Sequence, residues 1–171
     1  WSAGCSTGEE PYSLAILLLE HFPELMGWDV QILATDINKR SLRHAREGVY
    51  GERSLRMVED SLRERYFEKS DKHYLLSAQV RRMVRFEYLN LQTASFPAAA
   101  DGSGEIDLLS CRNVLIYFEL ETIRQIVAKF SQALSAQGYL FMGHAETMQN
   151  VSDRFLRHHQ NNAFFYQLKD P

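Results

Sequence analysis

Two glycines near the start of the chain constrain its fold more than any other feature. Gly4 and Gly8 enclose a turn, and Glu9-Glu10-Pro11 follows with the composition of a first helical turn, where acids and proline are favoured. The helix predicted over 9–22 is apolar on most sides, and we expect it to be largely buried. Such a turn normally follows a strand, so residues 1–3 are predicted to end a strand that begins upstream, in a longer protein.

Composition narrows the class of protein. A chain of 171 residues with 45% hydrophobic and 24% charged residues predicts one globular domain with a core of its own. Its two cysteines, Cys5 and Cys111, are too few for a disulfide framework, which indicates a reducing compartment. The longest apolar run, 14–19, is far shorter than the ~20 residues that cross a bilayer. Membrane-inserted, fibrous, disordered and disulfide-rich proteins are therefore excluded.

Apolar runs and amphipathic segments alternate along the chain, a pattern that favours a doubly wound α/β sheet with helices on both faces. The predicted strands are 30–35, 84–88, 106–110, 139–143 and 162–168. Helices are predicted over 38–48, with Asn38 as the N-cap, and over 122–134, with Gly138 as the stop. The small residues at 97–104 predict a loop without chemistry.

The stretch 39–85 differs from the rest of the chain in charge. It holds 13 of the 19 Lys and Arg residues and 7 of the 22 Asp and Glu residues, a local net charge of +6 against −3 overall. Helical spacing over 55–67 and short strands over 73–82 do not fit one βα unit, so an insert is predicted within 50–83. The basic residues either attract an acidic partner or form solvated helix faces, and the negative overall charge disfavours nucleic acid.

The polar segments that follow the predicted strands form the candidate binding site. In an open α/β sheet, ligands bind beyond the carboxyl ends of the strands, where 4–10, Asp36, 90–91 and 111–113 are expected to converge. A carboxylate that closes the second strand, as Asp36 does, is well placed to bind both hydroxyls of a ribose. The alternative role of Asp36 is to cap a helix or form a turn.

Glu9 and Glu10 discriminate between cofactors. Two carboxylates at a helix N-terminus would repel a pyrophosphate by about 1 kcal/mol or more per close pair of charges, and the spacing of Gly4 and Gly8 matches neither a dinucleotide motif nor a phosphate loop. An NAD-type oxidoreductase is therefore disfavoured, and a cationic cofactor such as S-adenosylmethionine is favoured. Alternatively, the acids only complement the helix dipole. The six histidines and two cysteines lack metal-ligand spacing, so no metal is predicted.

Several segments, taken in order, carry a family resemblance. Residues 1–13, with the sequence WSAGCSTGEEPYS, closely resemble the opening motif of the chemotaxis receptor-glutamate O-methyltransferases, the CheR family. The later matches are 34–38, 48–50, 90–91, 111–118 and 143–146. The resemblance covers essentially the whole chain and implies a Rossmann-like, class I S-adenosylmethionine-dependent methyltransferase fold with a small β insert. Members also carry an N-terminal helical domain, which we expect residues 1–171, the methyltransferase domain, not to include.

The resemblance also implies an activity. Members of the family transfer the methyl group of S-adenosylmethionine to glutamate side chains of bacterial chemoreceptors, leaving methyl esters and S-adenosylhomocysteine. The implied partners are the cytoplasmic helices of methyl-accepting chemoreceptors, in arrays at the membrane, with neither nucleic acid nor metal involved. The alternative to an enzyme is a signalling module that binds S-adenosylmethionine or S-adenosylhomocysteine without turnover.

By its motifs, the resemblance assigns residues to parts of the cofactor. Cofactor-binding residues would be Ala3, Gly4, Ser6, Thr7 and Glu10 at the methionine end, Asp36 at the ribose, Asn90 and Leu91 beside the adenine, and Arg112 and Asn113 on the pocket floor. Tyr117 would lie near the transferred methyl group as the catalytic residue, or else form an interior aromatic pair with Phe118. The alternative role of Arg112 is a surface ion pair. His144 and Glu146 would either edge the pocket or form a turn.

Overall fold

A computed structural model describes residues 1–93, 96, 106–161 and 163–169 and divides the chain into two units. The N-terminal unit consists of Ser2 and Gly4–Leu89, and the C-terminal unit consists of Trp1, Ala3 and Asn90–Pro171. Strand β1 consists of Ser2–Ala3. The loop predicted over 97–104 lies outside the described residues.

The N-terminal unit alternates helices with strands. Its elements are α1 (Glu9–His21), a 3-10 helix (Pro23–Gly27), β2 (Ile32–Asp36), α2 (Lys39–Glu47), β3 (Val49–Gly51), α3 (Glu52–Leu55), α4 (Asp60–Tyr66), β4 (Phe67–Ser70), β5 (His73–Leu76), α5 (Ala78–Arg82) and β6 (Val84–Tyr88). Strands β2 and β6 pair in parallel, with Ile32 opposite Val84. Strands β3, β5 and β4, in that order, form a separate antiparallel sheet. That sheet occupies the stretch in which the sequence predicts an insert, and its status as an insert remains a prediction.

The C-terminal unit contains a strand–helix–strand arrangement followed by a hairpin. Its elements are β7 (Ile106–Cys111), a 3-10 helix (Leu115–Tyr117), α6 (Leu120–Ala133), β8 (Leu134–Met142), β9 (Phe155–Gln160) and β10 (Ala163–Leu168). Strands β7 and β8 pair in parallel, with α6 as the crossover between them. Strand β10 lies between β8 and β9 and pairs with both in the antiparallel sense.

Strand β2 is buried over most of its length, as expected of an inner strand in a parallel sheet. Its residues Ile32, Leu33, Ala34 and Thr35 are all buried, and the strand begins two residues later than predicted. Side chains of α1, α2 and β6 complete the core of this unit, among them Tyr12, Ala15, Leu42, Ala45 and Phe86. Removal of this apolar surface from water, at about 25 cal/mol per Å², holds the two helices against the strand pair.

Both ends of α2 are fixed by the residues that the sequence indicates. The Asn38 side chain accepts hydrogen bonds from the backbone N–H groups of Arg40 and Ser41, at 3.0 and 3.2 Å. These donors have no partner within the helix, so the cap stabilises its first turn. At the other end, Gly48 has a φ of +64°, a left-handed conformation that glycine adopts without strain. The helix predicted over 38–48 is confirmed together with its two caps.

Helix α1 is less buried than its composition predicts. Its buried residues are Pro11, Tyr12 and Ala15, whereas Leu17 is 47% exposed. The prediction of a largely buried helix is wrong because α1 packs one stripe against the core of its unit and leaves the opposite stripe at the surface, apolar residues included.

Two segments fold differently from the elements predicted for them. The helical spacing over 55–67 is divided between two short helices, α3 and α4. The strand prediction over 73–82 holds for β5 but is wrong for α5, which Ser77 caps by accepting a hydrogen bond from the N–H of Val80. Elements of four to seven residues show too little of a period to be recognised from spacing.

Gly138 does not stop a helix, contrary to its predicted role. Helix α6 ends at Ala133, and Gly138 lies within β8, where the register with β7 shifts between Ile106 and Leu108. A Cβ at Gly138 would lie 3.1 Å from the carbonyl oxygen of Ile106, so glycine accommodates a bulge there. Strand β9 is not predicted from the sequence because Phe155 is the one fully buried residue in it, which leaves no alternating pattern.

Gly8 lies where α1 begins, packed against α2 and β3. Its φ is +91°, and a Cβ at this position would lie 2.9 Å from the Cβ of Ala45, 3.0 Å from the hydroxyl of Tyr50 and 3.3 Å from the ring of Phe86. The left-handed backbone and the lack of space therefore both require glycine. This glycine sets how closely the start of α1 approaches α2.

We predict that Gly8→Ala lowers the free energy of unfolding by about 2–5 kcal/mol, because left-handed strain costs about 1–2 kcal/mol and overpacking costs about 1–3 kcal/mol. Urea unfolding followed by circular dichroism measures the change. Gly51→Ala is the matched control, since Gly51 has a φ of −90° and no atom within 4 Å of the added Cβ. The control should change the stability by less than about 0.5 kcal/mol, and equal effects of the two substitutions would contradict the steric role of Gly8.

Candidate functional site

The turn between β1 and α1 is drawn tightly against the end of β2. The backbone N–H groups of Gly4 and Cys5 both donate to the carbonyl oxygen of Thr35, at 2.8 and 2.9 Å. Gly4, Ser6 and Gly8 all have a positive φ, of 86°, 50° and 91°. For Ser6, which has a side chain, the left-handed conformation costs about 1–2 kcal/mol, so the turn needs a partner that holds it in place.

Asp36, at the end of β2, is that partner. Its Oδ2 accepts the backbone N–H of Ser6 at 2.8 Å, and its Oδ1 accepts the N–H of Asn38 at 2.7 Å. One carboxylate thus stabilises both the left-handed turn and the backbone at Asn38, the N-cap of α2. The turn-forming role predicted for Asp36 as an alternative is confirmed. Because each carboxylate oxygen has a second acceptor site, a role toward a ribose remains compatible and stays a prediction.

The first turn of α1 presents two carboxylates held by hydroxyl groups. Glu9 accepts hydrogen bonds from the hydroxyl groups of Thr7, at 2.5 Å, and Ser54, at 3.2 Å. Glu10 accepts one from the buried hydroxyl of Ser2 at 2.7 Å. Both acids lie at the positive end of the α1 dipole, where negative charge is stabilised. A phosphate group placed here would meet two carboxylates in addition to the helix terminus.

The pKa of the Cys5 thiol reflects the negative charges around this turn. The side chain is buried, and burial raises the pKa of its thiol to about 12, with the nearby charges of Asp36 and Glu10 adding to the increase. Both carboxylates therefore act on the same buried group and disfavour negative charge there. Cys5 is therefore a small buried side chain that fills the core, and its protonated thiol is unsuited to act as a nucleophile.

Tyr50, on β3, supports the turn from the other side. Its hydroxyl donates to the carbonyl oxygen of Thr7 at 2.8 Å, and its ring meets that of Tyr12 edge to face. Burial raises the pKa of Tyr50 well above its usual value, so the hydroxyl remains a donor. Sequence reasoning did not single out Tyr50 as a site residue. The one signal was its place in the segment 48–50 of the family resemblance.

The predicted adenine-side residues belong to the C-terminal unit and form a turn. Asn90 accepts the backbone N–H of Gln92 at its Oδ1, at 3.0 Å, and that of Thr93 at its carbonyl oxygen, at 3.2 Å. Leu91 and Ala3 are buried, at 6% and 1% exposure. Their side chains can therefore offer a ligand no more than an apolar wall.

A second group of predicted residues follows β7 in the same unit. Cys111 is buried at the end of the strand, and the next two residues, Arg112 and Asn113, are exposed. Asn113 has a φ of +60° and leads into the 3-10 helix that carries Tyr117. Tyr117 is 79% exposed, so its alternative role as an interior aromatic residue is wrong. Its hydroxyl and ring are accessible to a ligand.

Glu146 organises this second group through the backbone. Its carboxylate accepts the N–H groups of Asn113, Val114, Leu115 and Gly143 at 2.6–3.0 Å. The turn predicted for Glu146 as one of two roles is present, since its own N–H donates to the carbonyl oxygen of Gly143. The bonds to 113–115 join residues more than thirty positions apart, and no local sequence signal predicts them.

The structure thus groups Gly4, Ser6, Thr7, Glu10 and Asp36 in the N-terminal unit, and Arg112, Asn113 and Tyr117 in the C-terminal unit. Among the residues that the structure describes, no three His, Cys, Asp or Glu side chains cluster in a way that could hold a metal ion. None of the helices in the described ranges has the length and apolar character of a membrane span.

We predict that Cys5 reacts with iodoacetamide at pH 8 about 100-fold or more slowly in the folded protein than in urea, because the thiolate is the reactive form and the folded pKa is about 12. Peptide mass spectrometry of timed samples measures both rates. The folded rate should rise with pH toward 12, as the thiol begins to ionise. Equal rates in the two states would contradict a buried, protonated Cys5.

Known chemotaxis protein methyltransferases are similar to this chain in sequence. The chain is 39% identical over 156 residues to chemotaxis protein methyltransferase 2 of Vibrio cholerae, covering 91% of this chain and 53% of that protein. It is 39% identical over 151 residues to the chemotaxis protein methyltransferase of Borreliella burgdorferi, covering 87% and 52%. The chain therefore spans about half the length of these relatives.

A solved structure shows the same fold. The TehB-like SAM-dependent methyltransferase of Corynebacterium glutamicum matches with a TM-score of 0.57 at 14% identity, covering 99% of this chain and 78% of that one. The likeness confirms the predicted α/β, Rossmann-like class I methyltransferase fold, to which the parallel pairs β2–β6 and β7–β8 belong.

The segments of the family resemblance, from the turn after β1 to Glu146, all fall within a longer match. Residues 1–164 match the family described as "CheR methyltransferase, SAM binding domain". Since this match covers nearly the whole chain, the chain belongs to the CheR methyltransferase family.

Proposed function

We propose that this chain is the methyltransferase domain of a protein-glutamate O-methyltransferase that modifies bacterial chemoreceptors in the cytoplasm. The observation that carries the proposal is the acidic turn over 4–10, held by Asp36, in a chain of the CheR family. Family membership supports the reaction class, and the turn supports a cationic methyl donor.

The N-terminal unit fits S-adenosylmethionine better than a phosphate-bearing coenzyme. When bound, this cofactor supplies an electrophilic methyl group on a sulfonium, and it also carries an ammonium group and a ribose. The carboxylates of Asp36 and Glu10 make the surroundings of Cys5 unfavourable to negative charge. Glu9 adds a third carboxylate at the start of α1. This set of charges would stabilise a cation and repel a diphosphate.

In our proposal, each segment holds one part of the cofactor. The turn residues Gly4, Ser6, Thr7 and Glu10, with Ala3 beside them, contact the methionine end. Asp36 uses its remaining acceptor sites for the ribose hydroxyls. Asn90 and Leu91 border the adenine, and Arg112 and Asn113 line the pocket floor.

The proposed reaction does not require the protein to transfer a proton. The carboxylate of a glutamate acceptor is ionised at neutral pH, because its ordinary pKa is about 4.3, so no general base is required. The domain contributes the alignment of donor and acceptor and the exclusion of water from two oppositely charged groups. We assign the alignment of the acceptor to Tyr117, whose exposed side chain is free to meet a substrate.

We further propose that α2 helps to dock the receptor. Its exposed residues include Lys39, Arg40 and Arg43, and Asn38 and Gly48 fix the two ends of the helix. A basic helix face of this kind would attract a receptor helix that carries several glutamates. The attraction should weaken as salt screens the charges.

A methyl-transfer assay tests the proposed function. The full-length protein is incubated with radiolabelled S-adenosylmethionine and chemoreceptor, and methyl esters are recognised by their release in base. Base-labile label on receptor glutamates supports the enzyme. Binding of S-adenosylhomocysteine without any transfer would instead indicate a binding module, and tighter binding of NAD would contradict the cofactor assignment.

We predict that Asp36→Ala weakens the binding of S-adenosylhomocysteine by more than about tenfold, equal to about 1.4 kcal/mol, because the ribose loses its acceptor. Isothermal titration calorimetry measures the affinity, and circular dichroism checks that the fold is intact. Asn38→Ala is the matched control: it removes the cap of α2 beside Asp36 and costs about 1 kcal/mol of stability, with unchanged affinity. An unaltered dissociation constant in Asp36→Ala would remove the ribose assignment.

We predict that Tyr117→Phe lowers kcat by about tenfold or more while changing the affinity for S-adenosylhomocysteine by less than about twofold, the pattern of a group that acts in the transition state. Tyr139→Phe is the control, because Tyr139 is another exposed tyrosine of the same unit, and it should leave both quantities unchanged. If Tyr117→Phe turns over at the parent rate, the hydroxyl of Tyr117 has no role in the reaction.

A further inference from the structure

We propose that Glu146 is a positioning residue that holds the segment 113–117 in the geometry required for cofactor binding and methyl transfer. The proposal rests on the proposed function, since that function assigns roles to Asn113 and Tyr117. In this role, Glu146 acts through the backbone of the segment, whose N–H groups it accepts.

The contacts of Glu146 divide evenly between its two oxygens. Oε1 accepts the N–H groups of Val114 and Leu115 at 3.0 and 2.8 Å. Oε2 accepts those of Asn113 and Gly143 at 2.9 and 2.6 Å. A carboxylate offers about four acceptor sites, so the backbone occupies essentially all of them. Glu146 is thereby committed to holding the chain.

The donors that Glu146 satisfies belong to residues that need a partner. Val114 and Leu115 lie at the start of the 3-10 helix, where backbone N–H groups have no acceptor within the helix. Asn113 is left-handed, with a φ of +60°, a conformation that persists only where its surroundings stabilise it. Hydrogen bonds to an ionised acceptor are about twice as strong as neutral ones, so one carboxylate can hold all three residues.

The position of Tyr117 follows from this arrangement. At 79% exposure its side chain has little packing to hold it, whereas Leu115 in the same 3-10 helix is buried. The backbone of the helix therefore sets the direction of Tyr117, and Glu146 holds the first N–H groups of that backbone. Loss of the hydrogen bonds from Glu146 would therefore increase the mobility of both Tyr117 and the exposed Asn113.

Gly143 shows how closely the two segments approach. A Cβ at Gly143 would lie 2.7 Å from Oε2 of Glu146 and 3.0 Å from the backbone nitrogen of Asn113. The absence of a side chain there lets the carboxylate reach both backbones at once. Gly143 and Glu146 thus act together: the glycine leaves space for the carboxylate, and the carboxylate accepts the backbone N–H groups of both segments.

Glu146→Gln tests the proposal in the full-length protein. The side-chain amide keeps one acceptor oxygen and turns an NH₂ group toward two of the four N–H donors. We expect the amides of Asn113, Val114, Leu115 and Gly143 to exchange their hydrogens about tenfold or more faster, in the absence of ligand. The dissociation constant for S-adenosylhomocysteine should rise about tenfold at unchanged stoichiometry, and kcat should fall about tenfold or more.

Two controls separate positioning from a general loss of stability. Ser131→Ala removes a buried hydroxyl that donates to the carbonyl oxygen of Ala128 and accepts from Arg154, in the same unit. It should lower the melting temperature without changing the dissociation constant, since unfolding reduces stoichiometry and not affinity. Glu121→Gln removes an exposed carboxylate paired with Arg124 and should change neither quantity.

Each outcome decides the question. Faster exchange at the four amides, together with weaker binding and slower turnover in Glu146→Gln alone, supports the proposal. The proposal is overturned if Glu146→Gln leaves the exchange of the four amides unchanged, or if it binds and turns over like the unsubstituted protein. It is also overturned if Ser131→Ala raises the dissociation constant by the same factor as Glu146→Gln. If the unsubstituted protein neither binds S-adenosylhomocysteine nor transfers methyl groups, the proposed function fails, and the positioning role fails with it. That failure is distinguishable because it appears without any substitution.

Discussion

The carboxylate of Asp36 is the interaction on which the N-terminal unit depends. It accepts the N–H of Ser6, which holds a left-handed turn, and the N–H of Asn38, which begins α2. The turn, the end of β2 and the start of α2 therefore share one acceptor. Glu146 does the same in the C-terminal unit, where it accepts the N–H of the left-handed Asn113. In both units, a carboxylate stabilises a backbone conformation that a residue with a side chain adopts only at a cost.

This use of carboxylates changes how the acidic residues are understood. Asp36 serves both as a turn former and as the candidate for a ribose, because the backbone N–H groups of Ser6 and Asn38 take two of the roughly four acceptor sites that a carboxylate offers. Glu9 and Glu10 similarly complement the dipole of α1 and at the same time make the turn unfavourable for phosphate. The structural and the ligand-binding explanations, which the sequence presents as alternatives, are compatible in the folded chain.

Local signals predicted much of the fold, and long-range contacts explain most of what they did not. The caps Asn38 and Gly48 and the parallel strands depend on neighbouring residues and on apolar runs, which a sequence displays directly. Elements as short as α3, or as exposed as β9, display neither. In the candidate site, the residues at the strand ends were identifiable by position. The hydrogen bond from Tyr50 to Thr7 joins residues 43 positions apart, so no local pattern could identify it. The contacts of Glu146 with residues 113–115 were unpredictable for the same reason.

The absent side chain of Gly8 has a consequence for how this domain can diversify. Three elements, α1, α2 and β3, meet there with less room than a methyl group requires. A larger residue would have to displace a helix or the strand that carries Tyr50, so the shape of the turn is inherited together with the whole scaffold. Proteins that retain this scaffold should therefore retain a glycine at this position as well, because a side chain there would collide with Ala45 and Tyr50.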